Sequence, residues 1–160
     1  MEVAMRRKDR EVTDPEKIDT ILADCTCCRL AFCDGGRPYI VPLSFGFAWE
    51  NGRRVFYFHG AKEGRKIDLI RAGGTVGFEL DTHYKLNEGD SACAYSARFQ
   101  SVIGTGSVSF VEETGAKLAA LERIMAHLTG RSGWDFPAEA VEATCIFRLE
   151  VEELACKEHL

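Results

Sequence analysis

VFYFHGAKEGRKIDLI, running from Val55 to Ile70, decides how the chain is read. Val55-Phe56-Tyr57-Phe58 is aromatic and β-branched, the composition that suits a strand on a pleated, half-buried surface. The strand pattern breaks at His59-Gly60. Helical spacing takes over from Glu63 to Arg71, with Ile67 and Ile70 on one side. Lys62, Arg65 and Lys66 stand at i, i+3 and i+4 and so share a face of the first turns, where Glu63 is placed to cap. Basic residues in such a turn can be no more than a solvated face. Exposed cations oppose the dipole at a helix start by roughly 0.3–1 kcal/mol each, however, while the unpaired N–H groups there favour an anion. Three cations beside those groups make a candidate phosphate cradle, and Gly60 and Gly64 let a ligand come close to the backbone. The stretch is neither a Walker loop nor a dinucleotide fingerprint.

At 160 residues and 46% hydrophobic, the chain suits one domain, residues 1–160, with a core of its own. A formal net charge of −5 argues against a protein held on nucleic acid by bulk electrostatics, and it keeps the basic cluster local. No run approaches the ~20 apolar residues of a membrane span, and MEVAMRRKDREVTD lacks the apolar core of a secretory signal. A cytoplasmic location is expected. Seven cysteines include the cluster Cys25, Cys27 and Cys28, but no second CxxC and no HxxxH completes a metal site. They read as reduced structural thiols, with Cys28 and Cys33 acting as small hydrophobes inside a strand.

Outward from the opening stretch, Thr13-Asp14-Pro15-Glu16 starts a helix carrying Ile18, Ile21 and Leu22 and ending near Asp24. Cys28 to Cys33 is a strand, Asp34-Gly35-Gly36 a hairpin turn, and Pro38 to Phe45 the returning strand. Pro42 cannot donate to a ladder, so this strand is expected at an edge, with main-chain groups around Val41 to Ser44 free for a ligand. Asn51-Gly52 turns a second hairpin, between Phe45–Trp49 and Val55–Phe58. Thr75 to Leu80 is a further strand, His83 to Ser96 a loop, and Arg98 to Val111 a long strand bent at Gly104 and Gly106. Thr114 to Leu128 is a helix with Leu118, Leu121, Met125 and Leu128 as its stripe, and His127 sits on or beside that face. Ala143 to Val151 closes the fold, followed by a solvated acidic tail. About six antiparallel strands with helices at the margins predict a mainly β protein, a small barrel. No nucleophile triad is visible, since Ser44, Ser96 and Ser101 lack the required setting.

MRRKDREVTD, RLAFCDGGRPYIVPLSF, FYFHGAKEGRK, RFQSVIGTGSVSFVE and GWDFP occur in this order. Together they resemble the pyridoxamine 5′-phosphate oxidase-like flavoproteins, in particular the branch of the 5-nitroimidazole resistance (Nim) proteins, over nearly the whole chain. The resemblance implies an FMN-binding split barrel that works as a homodimer, with flavin sites at the interface. It implies that Arg65 and Lys66, with Lys62 nearby, hold the phosphate, and that Val41, Pro42, Leu43 and Ser44 lie along the flavin ring. His59 then stands where its strand ends at the flavin, Gln100 and Ser101 come from the second subunit, and Trp134 packs over the site. Beyond Val151 only EELACKEHL remains, without the segment by which pyridoxamine phosphate oxidases grip their substrate, so vitamin B6 oxidation is not expected.

The function expected is an FMN-dependent oxidoreductase passing electrons from reduced flavin to a small organic acceptor. His59 is the candidate catalytic residue and proton donor, because imidazole titrates near neutrality. The alternative is a non-catalytic flavin-binding carrier or sensor module. A third reading is a barrel that takes haem with His59 as axial ligand, but a phosphate cradle has no purpose there.

Overall fold

The computed structural model of the chain describes residues 4–160. Among them eight strands and four α-helices follow one another as β1 (Glu11–Val12), α1 (Pro15–Asp24), β2 (Cys28–Asp34), β3 (Arg37–Leu43), β4 (Gly46–Glu50), β5 (Arg53–Gly60), α2 (Arg65–Ala72), β6 (Thr75–Asn87), β7 (Ser96–Val111), α3 (Thr114–Thr129), α4 (Ala138–Ala143) and β8 (Cys145–His159). The strands form one antiparallel sheet in the order β3-β2-β6-β7-β8-β5-β4, with β1 added beside β8. Its two edges, β3 and β4, are neighbours in sequence, with only Ser44 and Phe45 between them. Three residue steps reach at most about 11 Å, so the far edges of the sheet must curl round to meet. The result is a split barrel, mainly β, as the sequence predicts.

The barrel interior is filled by rings from facing strands. Phe45 meets Phe56 edge-on at 5.6 Å, Phe56 meets Phe78 at 5.3 Å, and Phe58 stacks on Phe147 at 5.2 Å. All four residues of Val55–Phe58 are buried, not just alternate ones. Phe56 and Phe58 belong to the barrel core, while Val55 and Tyr57 lie beneath α3 with Ala48, Ala120, Ile124 and Ile146. An apolar run without alternation is what a strand covered on both faces requires.

Several boundaries differ from expectation. Asp14, whose carboxylate accepts the Glu16 N–H at 3.2 Å, caps α1. Helix α2 begins at Arg65 with Gly64 as its cap residue, and Glu63 caps nothing, because residues 61–64 are a bend. β6 runs on to Asn87 through an irregularity between Thr82 and Lys85, taking in the first part of the expected loop. His83 at φ 58° marks the break, tied by its ring to Asp24 at 3.0 Å. β8 likewise continues to His159. Its tail is not solvated: Cys156 is buried, and Glu158 is bound by Lys17 and Gln100.

The helix α3 buries Lys117, Ala120 and Ile124, whereas Leu118 and Leu128 are exposed. The expected leucine stripe is rotated away from the sheet. A Cβ at Gly46 would stand 2.7 Å from the Ile124 backbone nitrogen, so α3 sits on β4 through small residues that allow close backbone approach. Cys28 is buried in β2, but Cys33 is exposed, and all seven cysteines are free thiols. No helix among the described residues is long and apolar enough to cross a membrane.

Candidate functional site

Strand β5 delivers His59 and Gly60 to the rim of the barrel, opposite Ile146 and Cys145 of β8. The chain then bends through residues 61–64 and enters α2. Gly64, at φ 134°, contributes no side-chain cap, so the first N–H groups of α2 keep their unpaired character. Arg65 reaches sideways to the β2–β3 hairpin. Its Nε and Nη2 donate to Asp34 Oδ2 at 2.9 and 2.8 Å, and its guanidinium lies 4.2 Å from the centre of the Tyr39 ring. Lys66 folds the other way, and its Nζ would stand 3.1 Å from a Cβ at Gly60. Lys62 is exposed on the bend and not on the helix, so the i, i+3, i+4 face expected of the three cations is a loop-plus-helix corner instead. Among the described residues no carboxylate lies within ion-pair distance of Lys62 or Lys66.

The grip of Arg65 on the hairpin joins the cradle to β3. That strand is an edge, paired only with β2, and Pro42 lies in it, exposed, as expected. Val41 and Leu43 pack partly into the core, while Pro42 and Ser44 face out. The edge therefore presents unpaired main-chain groups, and Arg65 meets it at Tyr39. His59, Lys62, Arg65 and Lys66 gather at the junction of β5 and α2, where Lys66 lies beside Gly60, and the segment Val41–Ser44 continues along β3 from the hairpin that Arg65 holds.

Gln100 and Ser101 are elsewhere. Gln100 Nε2 donates to Glu158 Oε2 at 3.0 Å, and Ser101 pairs with Asp81 and Lys157. The register line Pro42–Arg29–Glu79–Ile103 places them near the level of β3 but three strands away, roughly 14 Å. From the His59 level, marked on β7 by Val111, they are roughly 33 Å along the strand. Trp134 is held by its own loop: Nε1 donates to the Arg131 carbonyl at 2.9 Å and the Arg131 guanidinium lies 4.9 Å from its ring centre. A single chain does not bring Gln100 and Ser101 to the cradle.

A feature the sequence reading missed lies between α2, α3, α4 and the start of β8. It is a cleft of about 790 Å³ whose lining includes Lys62, Arg71, Phe110, Lys117, Phe136 and Cys145. Lys117 looks like any solvent-facing helix lysine in sequence. Its spacing from Ala120 and Ile124, i+3 and i+7, is the signal that could have placed it on the buried face. Burial pushes the Cys145 thiol up, while Lys117, Arg71, Lys66 and Lys62 pull it down. Burial also pushes Cys25 up to about 12 and raises Cys28 further, so these thiols stay protonated and chemically quiet.

The sequence profile described as pyridoxamine 5′-phosphate oxidase matches residues 14–158. Among solved structures, a candidate 5-nitroimidazole antibiotic resistance protein from Bacteroides thetaiotaomicron is 29% identical, over 92% of this chain and 86% of its own, at a TM-score of 0.78. The flavocytochrome Anf3 from Azotobacter vinelandii matches 98% of this chain and 72% of its own at 21% identity and a TM-score of 0.79. An FAD and heme binding protein from Mycobacterium smegmatis matches 93% and 73% at 18% identity and a TM-score of 0.74. These last two likenesses concern the fold. No curated protein matches the chain.

Proposed function

The chain belongs to the pyridoxamine 5′-phosphate oxidase family, and on that premise we propose that it binds a flavin, FMN, and acts as a cytoplasmic homodimeric oxidoreductase on a small organic acceptor such as a nitroaromatic. The observation that carries the reading is the Arg65 contact to Asp34 and Tyr39. It sets a cationic, uncapped helix start beside an edge strand whose main-chain groups are unpaired. Phosphate and flat ring system are the two moieties of FMN, and the two features fit one each. Gly64 faces open space, with no atom within 4 Å of a Cβ built there, so a phosphate has room at the helix start.

In this reading Lys66 and Lys62 neutralise the phosphate, and the N–H groups opening α2 donate to it. Arg65 adds a fork of donors already oriented by Asp34 and Tyr39. The main chain of Val41–Ser44 lies along the ring, with Pro42 giving an apolar surface and no donor. A bound flavin would supply two-electron redox chemistry. His59, exposed at the strand end, would be the group that donates a proton to the acceptor. Gln100 and Ser101 reach the ring from a second copy, whose docking the exposed Ile40, Tyr84 and Ile103 favour, and Trp134 packs over the site.

The test is the visible spectrum of the purified protein titrated with FMN. Saturable flavin bands are expected, with affinity reduced at least about tenfold in Arg65→Ala/Lys66→Ala, because charge-assisted hydrogen bonds contribute about 1.5–3 kcal/mol each. The variant His59→Ala should keep the flavin and reduce acceptor about a hundredfold more slowly. Flavin that binds but is bleached by no nicotinamide donor would make the protein a carrier. Absence of saturable binding would remove the proposal altogether.

A further inference from the structure

We propose that the cleft between α2, α3, α4 and the start of β8 is a second anion site, adjoining the proposed flavin cradle at Lys62, that takes a nucleoside phosphate. Lys117 is only 8% exposed, yet among the described residues it has no carboxylate within ion-pair distance and its ammonium makes no hydrogen bond to a side chain. The stem of Lys117 is packed away while its ammonium, not sealed from solvent, is left to face the cleft without a counter-charge. Its cleft is large enough for one, at about 790 Å³.

The surroundings specify the partner's chemistry. Arg71 makes a loose contact, 3.7 Å, to Asp68 on its own helix, with both side chains exposed, and its guanidinium lies 6.0 Å from the centre of the Phe110 ring. The guanidinium is thus available to a ligand in the cleft it lines. Lys62 lines it too, and the fields of all these cations and of Lys66 converge on Cys145. Phe110 and Phe136 provide flat apolar walls, which suit a base ring. Glu112 and Glu142 also line the cleft, and carboxylates there accept hydrogen bonds from sugar hydroxyls. Phosphate, sugar and base each have a matching wall.

Such a ligand could be a free nucleotide, or the nucleotide half of a flavin dinucleotide extending past Lys62 from the cradle. Cys145 reports on either. FMN-loaded protein is treated with N-ethylmaleimide, and modification is followed at each cysteine by mass spectrometry, with exposed Cys93 as the internal control. AMP at about ten times its Kd should slow Cys145 labelling about tenfold by mass action and leave Cys93 unchanged. If FAD, replacing FMN, protects while AMP does not, the site holds the dinucleotide's second half. In either case Lys117→Gln, and independently Arg71→Gln, should abolish protection with the flavin spectrum intact. The proposal is overturned if neither AMP nor FAD protects, if protection survives both substitutions, or if FMN alone shields Cys145 fully. AMP protection is readable in flavin-free protein as well, so a failure of flavin binding would be seen separately.

Discussion

His127 and Lys117 mark two ends of the buried stripe of α3, and His127 brings polar atoms under the surface. The His127 ring packs 4.2 Å from the Phe45 ring centre, and both its nitrogens are sealed from solvent with no partner. An unsatisfied buried polar group costs about 1–3 kcal/mol, and nothing at this position needs a proton or a donor. Phenylalanine keeps the stacking and removes the unmet nitrogens. His127→Phe is therefore expected to stabilise the fold by about 1 kcal/mol, raising Tm by about 2–4 °C in a domain of this size. A lowered Tm in thermal denaturation would mean that the nitrogens are satisfied by a group which the protein holds in solution. Lys117 differs because its ammonium lines a cleft from which a counter-charge can enter. Arg65 is different again: its pair with Asp34 is exposed on both sides, so it contributes at most about 1 kcal/mol and is screened by salt. Loss of flavin in Arg65→Ala would accordingly report on binding and not on unfolding.

At the scale of elements, the bend of β7 is the feature on which the barrel depends. A Cβ at Gly104 would collide with the Glu153 carbonyl oxygen and approach Phe78 Cζ to 2.5 Å, and the register with β8 shifts between Thr105 and Gly106. Neither obstacle can yield, one being ladder backbone and the other a core ring. Gly104→Ala should therefore cost at least about 2 kcal/mol, read as a lowered urea midpoint at unchanged m-value. A variant as stable as wild type would show that β8 does not run against Gly104. This bend was legible because glycine pairs inside a strand pattern have few other uses. The edge position of β3 was legible from Pro42, and the hairpin turns from Gly35-Gly36 and Asn51-Gly52. What was not legible depends on distant partners. β8 beyond Val151 looks like a charged tail, because its pairing with β7 and β1 is set by register across the sheet and not by local propensity. The leucines of α3 and its buried stripe both have helical spacing. Only the glycine-and-alanine contact with β4 decides between them.

Across the whole molecule, the candidate site divides into residues that a single chain brings together and residues that it leaves apart. His59, Arg65 and Lys66 could be read together because one strand–helix junction, local in sequence, carries all three, and the β2–β3 hairpin meets Arg65 through Asp34 and Tyr39. Gln100 and Ser101 lie a strand-length or three strands away, and in the proposed dimer a second copy carries them to the ring. The outer face of the sheet is suited to receive one. Ile40 is 62% and Ile103 53% exposed, on the face where Pro42 and Ile103 share a register line. An apolar cluster next to a proposed cofactor edge is expected to be covered. Ile103→Glu tests this directly. Because Ile103 is exposed in the single chain, the substitution should change monomer stability by no more than about 0.5 kcal/mol, while burying a carboxylate in an interface is strongly unfavourable. Size-exclusion chromatography with light scattering should give a dimer for wild type and a monomer for Ile103→Glu, with flavin affinity falling in step with the loss of dimer. A wild-type monomer that binds flavin at full strength would instead place the whole site on a single chain and leave Gln100 and Ser101 with no role in it.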